Sequence, residues 1–149
     1  MIAGMTAHEE AGNRIKTWML GPLTNAYRLL GSVNEGFETA ERAFKLAEES
    51  GERLWLSEIH RLYGELILLD RGASSEAERR FRIAISIARE QQAKSWELRA
   101  TISLARLLEN QKELGDAGVM LREIYSWFSE GFGNHDLQEA KSRLDRLAG

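Results

Sequence analysis

Histidines 8, 60 and 135 are the side chains best suited to metal or proton chemistry near neutral pH, and their spacing supports neither. None stands in a His-Glu-x-x-His or related frame, and a zinc site needs three or four convergent ligands. Glu58 and His60 are two apart, so on a helix they face different directions. His60 is therefore expected to be structural or at the surface. With no cysteine in the chain, disulfides, thiolate metal sites and a cysteine nucleophile are excluded. Glu58, Arg61, Glu65, Arg99 and Arg106 could resemble an acid/base cluster. The simpler expectation is ion pairs on a solvated face, each worth below about 1 kcal/mol. Arg79, Arg80, Arg82 and Arg89 form a small basic patch, expected on a solvated helix face. Tyr125, Trp127, Phe128 and Phe132 could stack on a ligand. A hydrophobic seal beneath a terminal helix fits them better, because Leu137, Ala140, Leu144 and Leu147 offer a matching apolar face. No catalytic, cofactor-binding or metal-ligating residue is assigned, and the chain is not expected to be an enzyme.

The elements that carry these residues are helical. Between Gly and Pro breakers the apolar residues recur at three and four, and no alternating strand pattern survives for five residues. Helices are predicted at about 7–19, 22–31, 35–50, 53–71, 74–92, 94–112, 114–129 and 135–147. Gly21-Pro22 reads as a helix stop followed by Pro at a first helical position. Ser74 or Ser75 is expected to cap one helix, and Asp116 to meet the dipole of another.

An internal repeat organises these helices. Gly36, Ala43 and Trp55 recur as Ala77, Ala84 and Trp96, each pair 41 apart, and the frame continues from Gly64 to Ala105 and from Leu66 to Leu107. A third start at Asp116-Ala117 follows at an offset of 40. A fixed period in the 20–50 range signals stacked supersecondary units that bury their apolar faces on one another. Small residues at Ala40, Ala43, Gly64, Ala84, Ala88 and Ala105 let helices approach, while Leu62, Leu66, Phe81, Leu104, Leu107 and Leu121 fill the space around them. A glycine inside a helix costs about 1 kcal/mol against alanine, so Gly64 is expected to serve packing.

The pattern small-x3-large-x2-Ala after a Gly-containing turn resembles the second helix of a tetratricopeptide (TPR) unit, in a repeat longer than the standard ~34 residues. Further along, Trp127-Phe128-x-Glu130-Gly131-Phe132 with Asp136-Leu137-x-Glu139-Ala140 resembles the C-terminal region of bacterial adenylate/guanylate-cyclase-like or transcription-regulator-like multidomain ATPases. These end in a TPR array. Gly51-Glu52-Arg53-x-Trp55 with Glu58-x-His60-Arg61-Leu62-x-Gly64, and Ser95-Trp96-Glu97-Leu98-Arg99-Ala100, resemble the same family; the likeness covers about residues 20–149. It implies an all-α, TPR-like right-handed superhelix of antiparallel hairpins at about 22–50, 53–92 and 94–129. An N-terminal helix at 7–19 and a capping helix at 135–147 would complete a single domain over 1–149. A Gly-x4-Gly-Lys-Ser/Thr phosphate loop is missing and no helix-turn-helix reader is recognisable, so the resemblance extends to the interaction module alone.

Composition narrows the partner class. At 149 residues, 43% hydrophobic and 29% charged, the chain reads as an ordinary soluble domain. A net charge of −3 sets up no global field for nucleic acid or an anionic membrane. Neither a signal peptide nor a membrane span is expected, and the cytoplasm is the expected location. Function is expected to be protein–protein interaction, with a concave groove lined by Glu58, Arg61, Glu65, Leu68, Arg99, Ile102, Arg106 and Glu109 holding a peptide or helix. The alternative is a small effector bound within the superhelix. Homo-oligomerisation is expected to involve a first helix exposing Ile15, Trp18, Met19 and Leu20.

Overall fold

The computed structural model describes residues 19–113 and 115–148. Seven helices and no strand occur among the described residues: α1 (19–30), α2 (Val33–Ser50), α3 (Leu56–Asp70), α4 (Ser74–Glu90), α5 (Lys94–Asn110), α6 (Ala117–Trp127) and α7 (His135–Ala148). The all-α expectation holds. The helix expected at 7–19 lies outside the described residues except for its last position.

The turns carry the repeat in their backbone. Gly31, Gly51 and Gly72 take positive φ after α1, α2 and α3, while Gln92 and Lys112 do so after α4 and α5. Thus 31 and 72, and 51 and 92, are equivalent left-handed positions 41 apart. The α4–α5 turn closes with the Ala93 N–H on the Ala88 carbonyl (2.8 Å), which satisfies a carbonyl the helix end would orphan.

Small residues set the helix spacing. A Cβ built on Gly64 of α3 would stand 2.6 Å from Phe81 Cε1 of α4, and one on Gly36 of α2 would stand 2.8 Å from Leu66 Cδ2 of α3. Phe81, Leu62, Leu66, Leu104 and Leu121 are fully buried around these contacts. One hydrophobic cluster runs from Ile67 to Ala140 through α3–α7, and a second joins Leu20, Ala40, Ala43 and Ile59 of α1, α2 and α3. Tyr63 packs against both.

Helices adjacent in sequence pack together, and alternate helices do too. α3 touches α2, α4 and α5; α5 touches α3, α4, α6 and α7. This places α3, α5 and α7 side by side in one layer, with α4 and α6 behind them. The i-to-i+2 contact matters for function, because it lines up the polar faces of three helices.

Several local expectations fail for physical reasons. Helical backbone runs unbroken through Gly21 and Pro22, so no helix stop lies there, and the first described helix begins before the expected 22. Proline's fixed φ suits a helix, and the buried Thr24 hydroxyl adds a bond to the Leu20 carbonyl across that turn (2.7 Å). Leu20 is buried with Ile59 and Ala43 rather than exposed. The exposed apolar stripe of α1 is Met19, Leu23, Leu29 and Leu30; Ile15 and Trp18 lie outside the described residues. Ala73, not a serine, occupies the N-cap of α4, and the Ser74 hydroxyl turns back to the Gly72 carbonyl. Asp116, by contrast, stands at the N-cap of α6 as expected, where its carboxylate also accepts from Arg82.

At the C-terminal end, Leu137 and Ala140 are buried and Leu144 is partly so, as a seal requires. Tyr125 and Phe128 pack against the same core. Trp127 does not: it is 60% exposed, stacked edge-on against Phe128 with the Lys94 ammonium 6.0 Å from its ring. α6 ends at Trp127, so its last side chain falls beyond the layer that α7 covers.

Candidate functional site

The polar faces of α3, α5 and α7 form a seam in which opposite charges alternate from helix to helix. Glu58 on α3 accepts two bonds from Arg61 (2.9 and 2.7 Å) and one from Arg99 on α5 (3.2 Å). Arg99 then donates Nε and Nη2 to Asp136 Oδ2 on α7, both at 3.1 Å. A second row runs parallel to the first. Arg106 on α5 bonds Glu65 on α3 (3.4 Å) and Glu139 on α7 (2.6 Å). Beyond it, Arg143 on α7 bridges Glu139 (3.1 Å) and Glu109 on α5 (2.6 Å).

The periodicity explains the alignment. Glu58 and Arg99 are 41 apart, as are Glu65 and Arg106, so one repeat offset sets both bonds between α3 and α5. Seven residues separate the two rows on α3 and on α5, about two turns, and three separate Asp136 from Glu139 on α7, so each helix presents both rows on one face. Asn134 fixes the start of α7: its Oδ1 accepts the Asp136 N–H (2.8 Å), an N-cap that holds Asp136 at the first turn.

A pocket of about 460 Å³ opens on this seam. Asn25 and Arg28 of α1, Glu58 and Arg61 of α3, and Arg99, Ile102, Ser103 and Arg106 of α5 line it. Asn134, His135, Asp136 and Glu139 close its far side. Arg28 donates Nε to Asn25 Oδ1 (3.0 Å) and has no carboxylate in ion-pair reach among the described residues. Burial, against the pull of Glu65, leaves its pKa below the usual arginine value. Burial also opposes the charge on Arg99, but Glu58 and Asp136 outweigh it and hold that guanidinium's pKa above the usual value. Arg106 is likewise desolvated and likewise raised, through Glu139 and Glu65. Glu139 is partly desolvated, which Arg106 and Arg143 more than offset, so its carboxyl lies below the ordinary glutamate range.

Of the eight expected groove residues, Glu58, Arg61, Arg99, Ile102 and Arg106 line the pocket, Glu65 joins them through Arg106, and Leu68 and Glu109 lie outside its lining. Glu58 and Arg61 are only 8% exposed and are spent on each other and on α5, not displayed on a solvated face. Ile102 lines the pocket but is only 3% exposed, and Leu68 packs half-buried against the core outside the lining, so little aliphatic surface faces the pocket. These side chains turn inward because the three helices of the layer touch each other and leave only their longest polar side chains at the rim. Glu109 sits at the edge, tied to Arg143 and Arg146. The chain positions that sequence reasoning missed are Asn25, Arg28, Ser103, Asn134, Asp136 and Glu139. Asp136 and Glu139 carried a legible signal, an i, i+3 acidic pair on a helix otherwise marked as a cap.

The other candidates are structural. His60 accepts from Arg80 through Nδ1 (3.1 Å) and stacks 4.6 Å from Phe44. Burial first, and then the Arg80 charge, lower its pKa to about 4. Arg80 lies 4.3 Å above the Tyr63 ring and 5.5 Å from Phe44, so it leaves the basic patch expected at a solvated face. Arg82 pairs with Glu78 and Asp116, and Arg89 with Glu97. Trp55 and Trp96, the most visible echo in the sequence, stack at 5.3 Å between successive repeats. His135 is exposed, and His8 lies outside the described residues. Among the described residues no group of three His, Asp or Glu side chains is placed to hold a metal ion, and no helix is long and apolar enough to cross a membrane.

No protein-family model matches the chain, and a search of curated proteins finds no match.

Proposed function

We propose that the chain is a non-catalytic, TPR-like helical-repeat binding module whose recognition site is the charged pocket on the α1–α3–α5–α7 face. The repeat period, the contacts between alternate helices and the resemblance of residues 20–149 to the tails of bacterial signalling ATPases support a right-handed superhelix of hairpins. The observation that carries the reading is the pocket itself, where side chains from four helices converge. A cytoplasmic setting belongs to this reading, in keeping with a sequence that has no cysteine.

The occupant is a polar segment of a partner protein. Charge there supplies orientation and encounter rate, and since Ile102 offers little surface and Leu68 lies outside the lining, recognition rests on hydrogen bonds and ion pairs. The pocket's size favours a second reading, a small effector bound inside the helix stack, since ligand sites of ~300–1,000 Å³ are typical for small molecules.

Site-directed photo-crosslinking in the native cell tests the module. A crosslinker at Asn25, inside the pocket, is expected to give one defined protein adduct that a crosslinker at Glu123 of α6 does not. Equal adducts from both positions, or none from either, would remove the pocket as a partner site.

A further inference from the structure

The pocket's ion pairs are unequal, and their inequality identifies a ligand class. Glu58 holds Arg61 by a two-oxygen fork, a strong arrangement that fixes both side chains. Arg99, by contrast, places Nε and Nη2 on a single Asp136 oxygen at 3.1 Å each and Nη1 on Glu58 at 3.2 Å, all longer than a good charge-assisted bond. Arg28 has an amide as its only hydrogen-bond partner among the described residues. Asp136 and Glu139 both have somewhere else to go. Asp136 sits in the first turn of α7, where the helix dipole stabilises a carboxylate. Glu139 bonds Arg106 at 2.6 Å, but Arg143 donates Nε and Nη2 to that same oxygen, so Glu139 keeps a guanidinium partner when Arg106 turns to a ligand.

We propose that this pocket binds a small, multiply charged oxyanion, which displaces Asp136 and Glu139 from Arg99 and Arg106 and takes Arg28 as its third guanidinium. The α7 carboxylates occupy the arginines in the unliganded state and are exchanged for phosphate or carboxylate oxygens of the ligand. Glu58 stays on Arg61 and anchors the floor. Because α7 and the ligand compete for the same two guanidiniums, each weakens the other, and the occupied state has a more loosely docked C-terminal helix. The inference rests on the second reading, a small effector in this pocket, and adds the chemistry of that effector.

The exchange makes a prediction of unusual sign. Asp136→Asn with Glu139→Gln removes the competing charges and is expected to tighten anion binding about tenfold or more, although it deletes the native pairs of Arg99, Arg106 and Arg143 with α7 carboxylates. Isothermal titration of the full chain with pyrophosphate, and separately with citrate, supplies the readout. Saturable 1:1 binding of pyrophosphate alone identifies a phosphoryl ligand, of citrate alone a carboxylate ligand, and of both a charge-matched site; each supports the proposal. Arg28→Gln is expected to weaken binding about tenfold, whereas Arg79→Gln on the exposed face of α4 leaves it unchanged. Circular dichroism confirms that each variant is folded, and Arg28→Gln remains a test if the double variant is not. No binding of either anion at millimolar concentration overturns the proposal, as does equal or weaker binding by the folded double variant. A protein adduct at Asn25 without anion binding would overturn this inference and leave the module reading standing.

Discussion

Replacing Gly64 with alanine sets two effects of known size against each other. Alanine in mid-helix gains about 1 kcal/mol over glycine from backbone entropy alone. The new methyl would meet the Phe81 ring at 2.6, 3.0 and 3.2 Å, where carbon atoms ordinarily rest at about 3.5–4.0 Å. The ring must therefore retreat by about 1 Å, and it has nowhere to go, being fully buried between α3 and α4. Overpacking of this kind costs about 1–3 kcal/mol. The packing term wins, and Gly64→Ala is expected to destabilise by about 1 kcal/mol net, lowering Tm by about 2–4 °C for a chain of this size.

A double-mutant cycle isolates the cause. Phe81→Leu alone loses stability to the space it opens. In that background the methyl at 64 finds room, and Gly64→Ala should turn stabilising, approaching the ~1 kcal/mol of intrinsic propensity. The coupling between the two sites is then about 1–3 kcal/mol, read from urea midpoints at constant m. If Gly64→Ala stabilises both backgrounds equally, the two residues do not touch. The close α3–α4 pairing on which the repeat argument depends would then be wrong.

Glu58→Gln leaves Arg61 buried without its forked partner and is expected to cost about 2–4 kcal/mol, far above a surface pair, measured by chemical denaturation against Lys141→Gln as an exposed control. His60 gives a pH signature. Its folded pKa of about 4 lies below the ordinary value of about 6.5, so the unfolded chain takes up the proton first and stability falls as pH drops through this window. The loss reaches about 3 kcal/mol by pH 4, and its onset between pH 6.5 and 5 should vanish from Tm profiles of His60→Gln. Gln92 stands at φ 55°, where a side chain is strained, so Gln92→Gly is expected to stabilise by about 1 kcal/mol; an unchanged or lower Tm would contradict that backbone geometry.

How far the sequence could be read depended on whether position or direction was at stake. Helix positions followed from apolar periodicity, and a Gly64 kept for packing is what the Phe81 contact shows. The offset of 41 also contained the bonds Glu58–Arg99 and Glu65–Arg106, since equivalent helices side by side bring equivalent faces together. The depth of those faces was not legible. A charged residue on a helix surface reads as solvated, and only contact between alternate helices buries Glu58, Arg61 and Ile102. The partners on α7 escaped for a second reason. The loop Phe128–Asn134 breaks the register, so Asp136 and Glu139 fall 37 and 33 residues after their arginines rather than 41. Arg80 escaped because its aromatic partners come from α2 and α3, and no local pattern announces a cation over Tyr63.

The same arginines hold the layer together and line its pocket, and this joins stability to recognition. In a stack whose units touch mainly their neighbours, a helix that packs on few others through a small apolar interface is the least constrained. α7 fits that description: it packs on α5 and α6, Leu137 and Ala140 are its only fully buried residues, Leu144 is half-buried beside them, and polar bonds through Asp136, Glu139 and Arg143 add to its attachment. Weakening those bonds should therefore free α7 before it disturbs α3–α5, whose contact also rests on buried leucines and on Ile67 and Phe81. Hydrogen exchange on Arg99→Gln with Arg106→Gln would resolve the order. Amides of 136–148 should lose protection while those of α3 and α4 keep theirs. Loss of protection throughout would mean that the ion-pair rows stabilise the whole layer, and that no ligand could release α7 without unfolding its support.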